Sequence, residues 1–218
     1  MTKTGAAAGP AFDDHAESAM DWVRDNGKPI GIGLAVIAVA VIGWIGVRQY
    51  QNSQADQAEA ALNRARQSYA QGNLPLAQTD LRRVISRFGG SSAGSQATML
   101  LAQAYYEQGH ADSGLKVLNE GDPSTVDEAA FEALRGAGLE QKKEYVQAAE
   151  RYRAAAAAAD AKIAKDRYMA DAARALTSAG NKAEAAKIWA ALATDNASTF
   201  AAEAKVRLGE LVATPASK

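Results

Sequence analysis

Cysteine is missing from all 218 residues, which removes disulfides, thiolate nucleophiles and cysteine metal sites together. Histidine is almost missing. His15 and His110 lie far apart in the chain, and neither has the closely spaced partners that a zinc site or a base–nucleophile pair needs. Strand-forming residues are sparse beside abundant alanine, which predicts an all-α protein. A large excess of either charge is lacking as well. Residues 1–29 carry three basic groups (Lys3, Arg24, Lys28) against five acidic ones, and residues 48–218 carry 21 against 20. Without a basic surplus to neutralise phosphates, nucleic acid is not an expected partner.

Catalytic motifs are lacking in the same way. No G-x-S-x-G or H-E-x-x-H occurs. Gly27-Lys28 ends like a phosphate loop, but Trp22 stands where a glycine is required and Pro29 where a magnesium-holding Ser or Thr belongs. The carboxylates are scattered along helical faces. The chain therefore reads as non-enzymatic, with no cofactor, metal or small-molecule substrate.

Long apolar runs are missing too, with one exception. The eighteen residues Ile30 to Val47 contain five Ile, four Val, one Leu, three Ala, four Gly and Trp44, with no charged, amide or hydroxyl side chain. As a helix they would span roughly 27 Å, close to the ~30 Å hydrocarbon core of a bilayer. Residues 28–50 are therefore predicted as a single transmembrane helix. Lys28 and Arg48 bracket the run, and Trp22, Trp44 and Tyr50 stand where interfacial aromatics belong. The run is longer than the apolar core of a signal peptide and follows an acidic leader, which favours an uncleaved anchor. The flanking positive charges do not decide its orientation.

Before the anchor, residues 1–11 are small and polar and are predicted to be disordered. Residues 12–27 predict an acidic amphipathic helix. Phe12, Ala16, Ala19, Met20 and Val23 share one face, with Asp13, Glu17, Asp21 and Asp25 opposite. That helix is either a protein-docking element or a solvated lead-in to the membrane.

After the anchor the pattern stays helical without a breaker until Gly72. A frame of small residue, turn and small residue then recurs: Ala65–Gly72–Ala77, Ala102–Gly109–Gly114, Gly136–Lys143–Ala148 and Ala173–Gly180–Ala185. The turn positions are 37, 34 and 37 residues apart. Each frame predicts two helices joined by a tight turn, with small residues where the helices cross. Larger packing positions follow at Tyr105 or Leu176 in the first helix and at Leu81, Leu118, Tyr152 or Trp189 in the second. Glycine at three of the turns supplies positive φ, while Lys143 departs from that chemistry. The stretch 89–95, Gly-Gly-Ser-Ser-Ala-Gly-Ser, reads as a flexible connector between repeats.

This period and residue pattern resembles the tetratricopeptide repeat (TPR), most closely at Leu101 to Gly109 and Asn181 to Trp189. The expected architecture is a TPR-like α-solenoid over residues 51–213, with about four hairpins and a last capping helix from Thr199 to Val212. Residues 214–218 are a frayed tail. In such arrays the first helix of each pair lines an inner groove. Mapped by the frame, that groove would be lined by Arg66, Tyr69, Gln103, Tyr106, Glu107, Glu140 and Arg174. The Lys/Asn/Arg set that clamps a peptide carboxylate is absent, so looser recognition of apolar or unfolded segments is expected.

The order of elements is more specific than the repeats. An acidic leader ending Asp25-Asn26-Gly27-Lys28 comes first, followed by a span with Gly43-Trp44 near its far end. A glutamine- and alanine-rich exit from Gln49 to Ala61 and degenerate repeats complete the series. That arrangement resembles the YfgM-like family, ancillary subunits of the bacterial Sec translocon. The resemblance implies an inner-membrane protein with a cytoplasmic N-terminus and a periplasmic solenoid. It implies partners in the SecYEG channel, a membrane-anchored prolyl-isomerase-like chaperone and exported clients. The competing expectation is a general membrane-tethered assembly factor in envelope or cell-division complexes, unrelated to secretion.

Overall fold

The computed structural model describes residues 27–123 and 127–213, apart from the side chains of residues 27–31, 34, 35 and 212. Among the described residues there are nine α-helices and no strand. They are α1 (Gly27–Ala70), α2 (Leu74–Phe88), α3 (Ser92–Glu107), α4 (Ala111–Glu120), α5 (Glu128–Gln141), α6 (Tyr145–Ala158), α7 (Lys162–Ser178), α8 (Lys182–Thr194) and α9 (Ala201–Val212). The chain forms two compact units, residues 1–54 and 55–218. In the second unit each helix from α3 to α9 packs against the one before it, and α3 also touches α5, which is the connectivity of stacked hairpins.

The four turns are built alike. Gly72, Gly109 and Gly180 have φ of 74°, 75° and 77°, and Lys143 joins them at 60°. Each turn closes its first helix with the same backbone bond spanning five residues. Asn73 N–H donates to Ser68 C=O (3.0 Å), His110 to Tyr105 (2.9 Å), Glu144 to Leu139 (2.9 Å) and Asn181 to Leu176 (2.9 Å). A second bond runs from each turn residue to the carbonyl three positions back, completing a Schellman motif that satisfies two orphan carbonyls. The residue after each turn is also the N-cap of the next helix. Asn73 accepts from Leu76 N–H at 3.3 Å and Asn181 from Glu184 N–H at 3.4 Å, whereas His110 and Glu144 make no side-chain cap bond.

The predicted frame is the core. Leu81, Leu118, Tyr152 and Trp189, each nine residues after a turn, are buried, as is Leu176; Tyr105 is half-buried. The small positions are needed because large rings sit on them. A Cβ at Gly114 would lie 2.3 Å from Tyr106 Cε1, and one at Gly136 would lie 2.8 Å from Tyr152 Cε1. α9 caps the last hairpin by packing on α8, with Phe200, Leu208 and Leu211 against the cluster that holds Trp189.

One expectation changes. The connector read over residues 89–95 is only a Gly89–Gly90 turn and the N-cap Ser91, whose Oγ accepts from Gly94 N–H at 3.1 Å. Ala93, Gly94 and Ser95 are buried in the first turn of α3, and a Cβ at Gly94 would meet Phe88 C=O at 2.1 Å. Glycine there permits close packing of α3 on the end of α2. The transmembrane helix is not shown: among the described residues no helix is long and apolar enough to cross a membrane. The expectations of disorder over residues 1–11 and of an acidic helix over most of 12–27, together with Trp22, the Lys28 side chain and residues 214–218, lie outside what is described.

Candidate protein-binding groove

Four of the seven residues predicted for the inner groove meet on α1 and α3. Arg66, Tyr69 and Gln103 line one open groove with Gln96, Met99 and Leu100. Arg66 Nη2 donates to Gln96 Oε1, and Tyr69 Oη donates to Glu107 Oε1. Burial and then the Glu107 carboxylate push the Tyr69 phenol up to about 12, so it remains a donor throughout the physiological range. The groove therefore presents a thioether and an aliphatic side chain between a guanidinium, a phenol and amides. Gln96, Met99 and Leu100 were not singled out in the sequence. Their signal is the i, i+3, i+4, i+7 ladder running back from Gln103 along one face of α3.

The other three do not join it. Tyr106 is buried at 8% exposure, its ring held between Gly114 and Gly138 in the cluster of Ala102, Leu118 and Phe131. Its hydroxyl and Arg135 Nε are the buried polar atoms without a protein partner among the described residues, and burial pushes the phenol up. Tyr106 is a wedge between the second and third hairpins, not a groove residue. The repeat spacing gives it the position that Tyr69 holds in the first hairpin, but the room left by Gly114 and Gly138 takes its ring to the core side. Glu140 accepts a hydrogen bond from Tyr152 Oη at 2.8 Å and so braces its own hairpin. Arg174 grips Glu203 of the capping helix through Nε (3.1 Å) and Nη2 (2.7 Å), bonds Asp171 at 2.5 Å, and lies 5.9 Å above the Trp189 ring. These bonds hold Glu203 below the usual carboxylate range, so Arg174 is a clamp on α9.

At the expected membrane interface, the Arg48 guanidinium lies 5.1 Å over the Trp44 ring, and Tyr50 Oη accepts from Gln54 Nε2 at 3.0 Å. Among the described residues no group of three or more His, Cys, Asp or Glu side chains converges. His110 sits at the second turn as an N-cap without a side-chain cap bond.

A family model described as a tetratricopeptide repeat-like domain matches residues 57–170, just over half of the chain. Among solved structures, the chain is similar to a crystal structure of nearly identical TPR-like repeats from a candidate kinesin light chain of Podosopora anserina. The TM-score is 0.57 and the identity 14%, over 71% of this chain and 85% of that one, a likeness of fold alone. No curated protein matches the sequence significantly.

Proposed function

We propose, on the premise that the chain belongs to the tetratricopeptide repeat-like family, that it is a membrane-anchored scaffold which binds other proteins on the periplasmic side of the bacterial inner membrane. Its repeat fold is suited to protein–protein interaction, and the groove on α1 and α3 is the surface assigned to that work. Its place would be beside the Sec translocon, as an ancillary subunit that holds the SecYEG channel, a membrane-anchored prolyl-isomerase-like chaperone and emerging clients. The YfgM-like order of leader, span, glutamine- and alanine-rich exit and repeats supports the translocon as partner.

One observation carries the anchor. In α1 the side chains Ile32, Val36, Ile37, Val39, Val41, Ile42, Trp44, Ile45 and Val47 are exposed at 46–71% of their surface. A water-soluble helix does not present so much contiguous apolar surface, and a bilayer accommodates it. Each Ile, Val or Leu favours the membrane centre by about 0.3–0.6 kcal/mol, so the ten in residues 30–47 give a few kcal/mol toward insertion. The Arg48–Trp44 stack would sit at the headgroup level.

A reporter active only outside the cytoplasm, fused after Lys218, should be active; an inactive fusion overturns the topology. Crosslinkers in the span and its flanks should recover translocon subunits from native membranes. Recovery of envelope or division proteins alone would replace the secretory role with general assembly.

A further inference from the structure

The frame also shows which face of each hairpin receives its predecessor. Positions twelve, eight and five residues before the turn are Ala97, Leu101 and Ala104 in the second hairpin and Tyr168, Ala172 and Ala175 in the fourth, all buried. In the third they are Phe131, Arg135 and Gly138, and the Arg135 side chain is only 16% exposed. In the first hairpin the same positions are Ala60, Arg64 and Gln67, and all three are exposed. Among the described residues, the stack is thus closed by α9 at its C-terminal end and open at its first hairpin.

That open face is not a general apolar patch. Ala60, Ala61 and Phe88 floor a groove between α1 and α2, and Arg64, Arg83 and Arg87 line it with Asp80. Asp80 pairs with Arg83 at 3.1 Å, leaving a surplus of two positive charges across the groove. We propose that the open end of the stack is a docking surface for an acidic amphipathic helix supplied by another protein. Shape argues for a helix, because the equivalent face of the other three hairpins receives one. Alanine at positions 60 and 61 allows a close axial approach. Charge argues for carboxylates: all three cations are arginine, which binds carboxylate oxygens through paired N–H donors. Arg64 and Gln67, where buried hairpins carry Leu101 and Ala104 or Ala172 and Ala175, argue against a purely apolar occupant. This surface lies apart from the α1/α3 groove and does not depend on the secretory assignment.

The test places a benzophenone amino acid at Ala60 of the full chain in native membranes and maps the attached peptide by mass spectrometry. The expected product is a segment of another polypeptide with Asp or Glu along one helical face. Yield should fall at least tenfold when Arg64, Arg83 and Arg87 are all changed to Glu, and by a smaller factor when all three are changed to Gln. The Gln variant decides the matter if the Glu variant does not fold. A crosslink at Gln103 should be unchanged by either, which separates failure here from failure of the groove. Attachment to phospholipid, to a second copy or to nothing, or a yield indifferent to both variants, would overturn the proposal.

Discussion

Lys143→Gly should make the protein more stable, although it deletes a whole side chain. Lys143 holds φ at 60° in a turn whose three counterparts are glycines at 74–77°. Its backbone makes the same pair of bonds as theirs, Lys143 N–H to Glu140 C=O at 2.8 Å and Glu144 N–H to Leu139 C=O at 2.9 Å, so hydrogen bonding does not distinguish the four. The difference is the Cβ. A side-chain-bearing residue in the left-handed region costs about 1–2 kcal/mol. Glycine escapes that cost but loses about 0.5–1 kcal/mol through the larger freedom of its unfolded chain. At mid-range values the balance is a gain of roughly 0.5–1 kcal/mol. For a chain of this size that raises Tm by about 1–4 °C.

The measurement is a urea titration and a thermal melt of the full chain in detergent, followed by helical circular dichroism. Amide exchange at Glu144 adds a local readout. The urea midpoint should rise at constant slope, and exchange of the Glu144 N–H should slow because that bond closes the turn. The reverse change, Gly109→Lys, should cost a similar amount. If Lys143→Gly leaves the midpoint where it was or lowers it, left-handed strain is not what limits this turn, and the equivalence of the four turns fails energetically.

Three further outcomes follow from the same geometry. Gly114→Ala should cost about 1–3 kcal/mol in urea unfolding, because its Cβ would meet Tyr106 Cε1 at 2.3 Å and Gly138 blocks the ring's retreat. His110→Asn should gain about 0.5–1 kcal/mol by supplying at the second turn the side-chain cap that Asn73 and Asn181 make at the first and fourth. Arg174 holds Glu203 below its ordinary range, so the stability from this clamp is complete above the unfolded-state value near ~4.3 and is lost as pH falls through the depressed folded value. Asp171, pushed up by burial, works oppositely, since its protonation on acidification relieves a cost. Exchange protection in α9 should therefore drop in acid for the native chain and lose that pH dependence in Glu203→Gln; a dependence that survives the substitution would refute the clamp.

The fold was legible because a TPR-like stack repeats its constraints. Gly72, Gly109 and Gly180 announce the turns, and once the interval is known it selects Lys143 as the fourth despite its chemistry. The interval then carries to Leu81, Leu118, Tyr152 and Trp189, which all fall in the core. Composition misled where local chemistry and packing differ. Gly89 to Ser95 has the residues of a flexible linker, yet Gly94 is small because a helix end approaches within contact distance. What the sequence could not express there is which surface a small residue faces.

The groove was half legible for a related reason. A repeat frame assigns a residue to a helix and a turn, but its side chain is directed by what lies opposite. Positions three before the first three turns are Tyr69, Tyr106 and Glu140, and they have three different fates. Tyr69 reaches across to Glu107 in the groove, Tyr106 turns into the space left by Gly114 and Gly138, and Glu140 receives the Tyr152 hydroxyl. Only the second fate needs small residues on two other helices, so its signal is split between α4 and α5, 8 and 32 positions further along the chain. Arg174 is likewise decided by Glu203, 29 residues on, in a helix outside the repeat. Such pairings are invisible to periodicity within one hairpin. The predicted residues that do come together are on the same two first helices: Arg66 and Tyr69 bond across to Gln96 and Glu107, and Gln103 lines the groove beside them. In this degenerate stack neighbouring hairpins still match on α1 and α3, while the departures further along have been absorbed into holding the stack and its cap together.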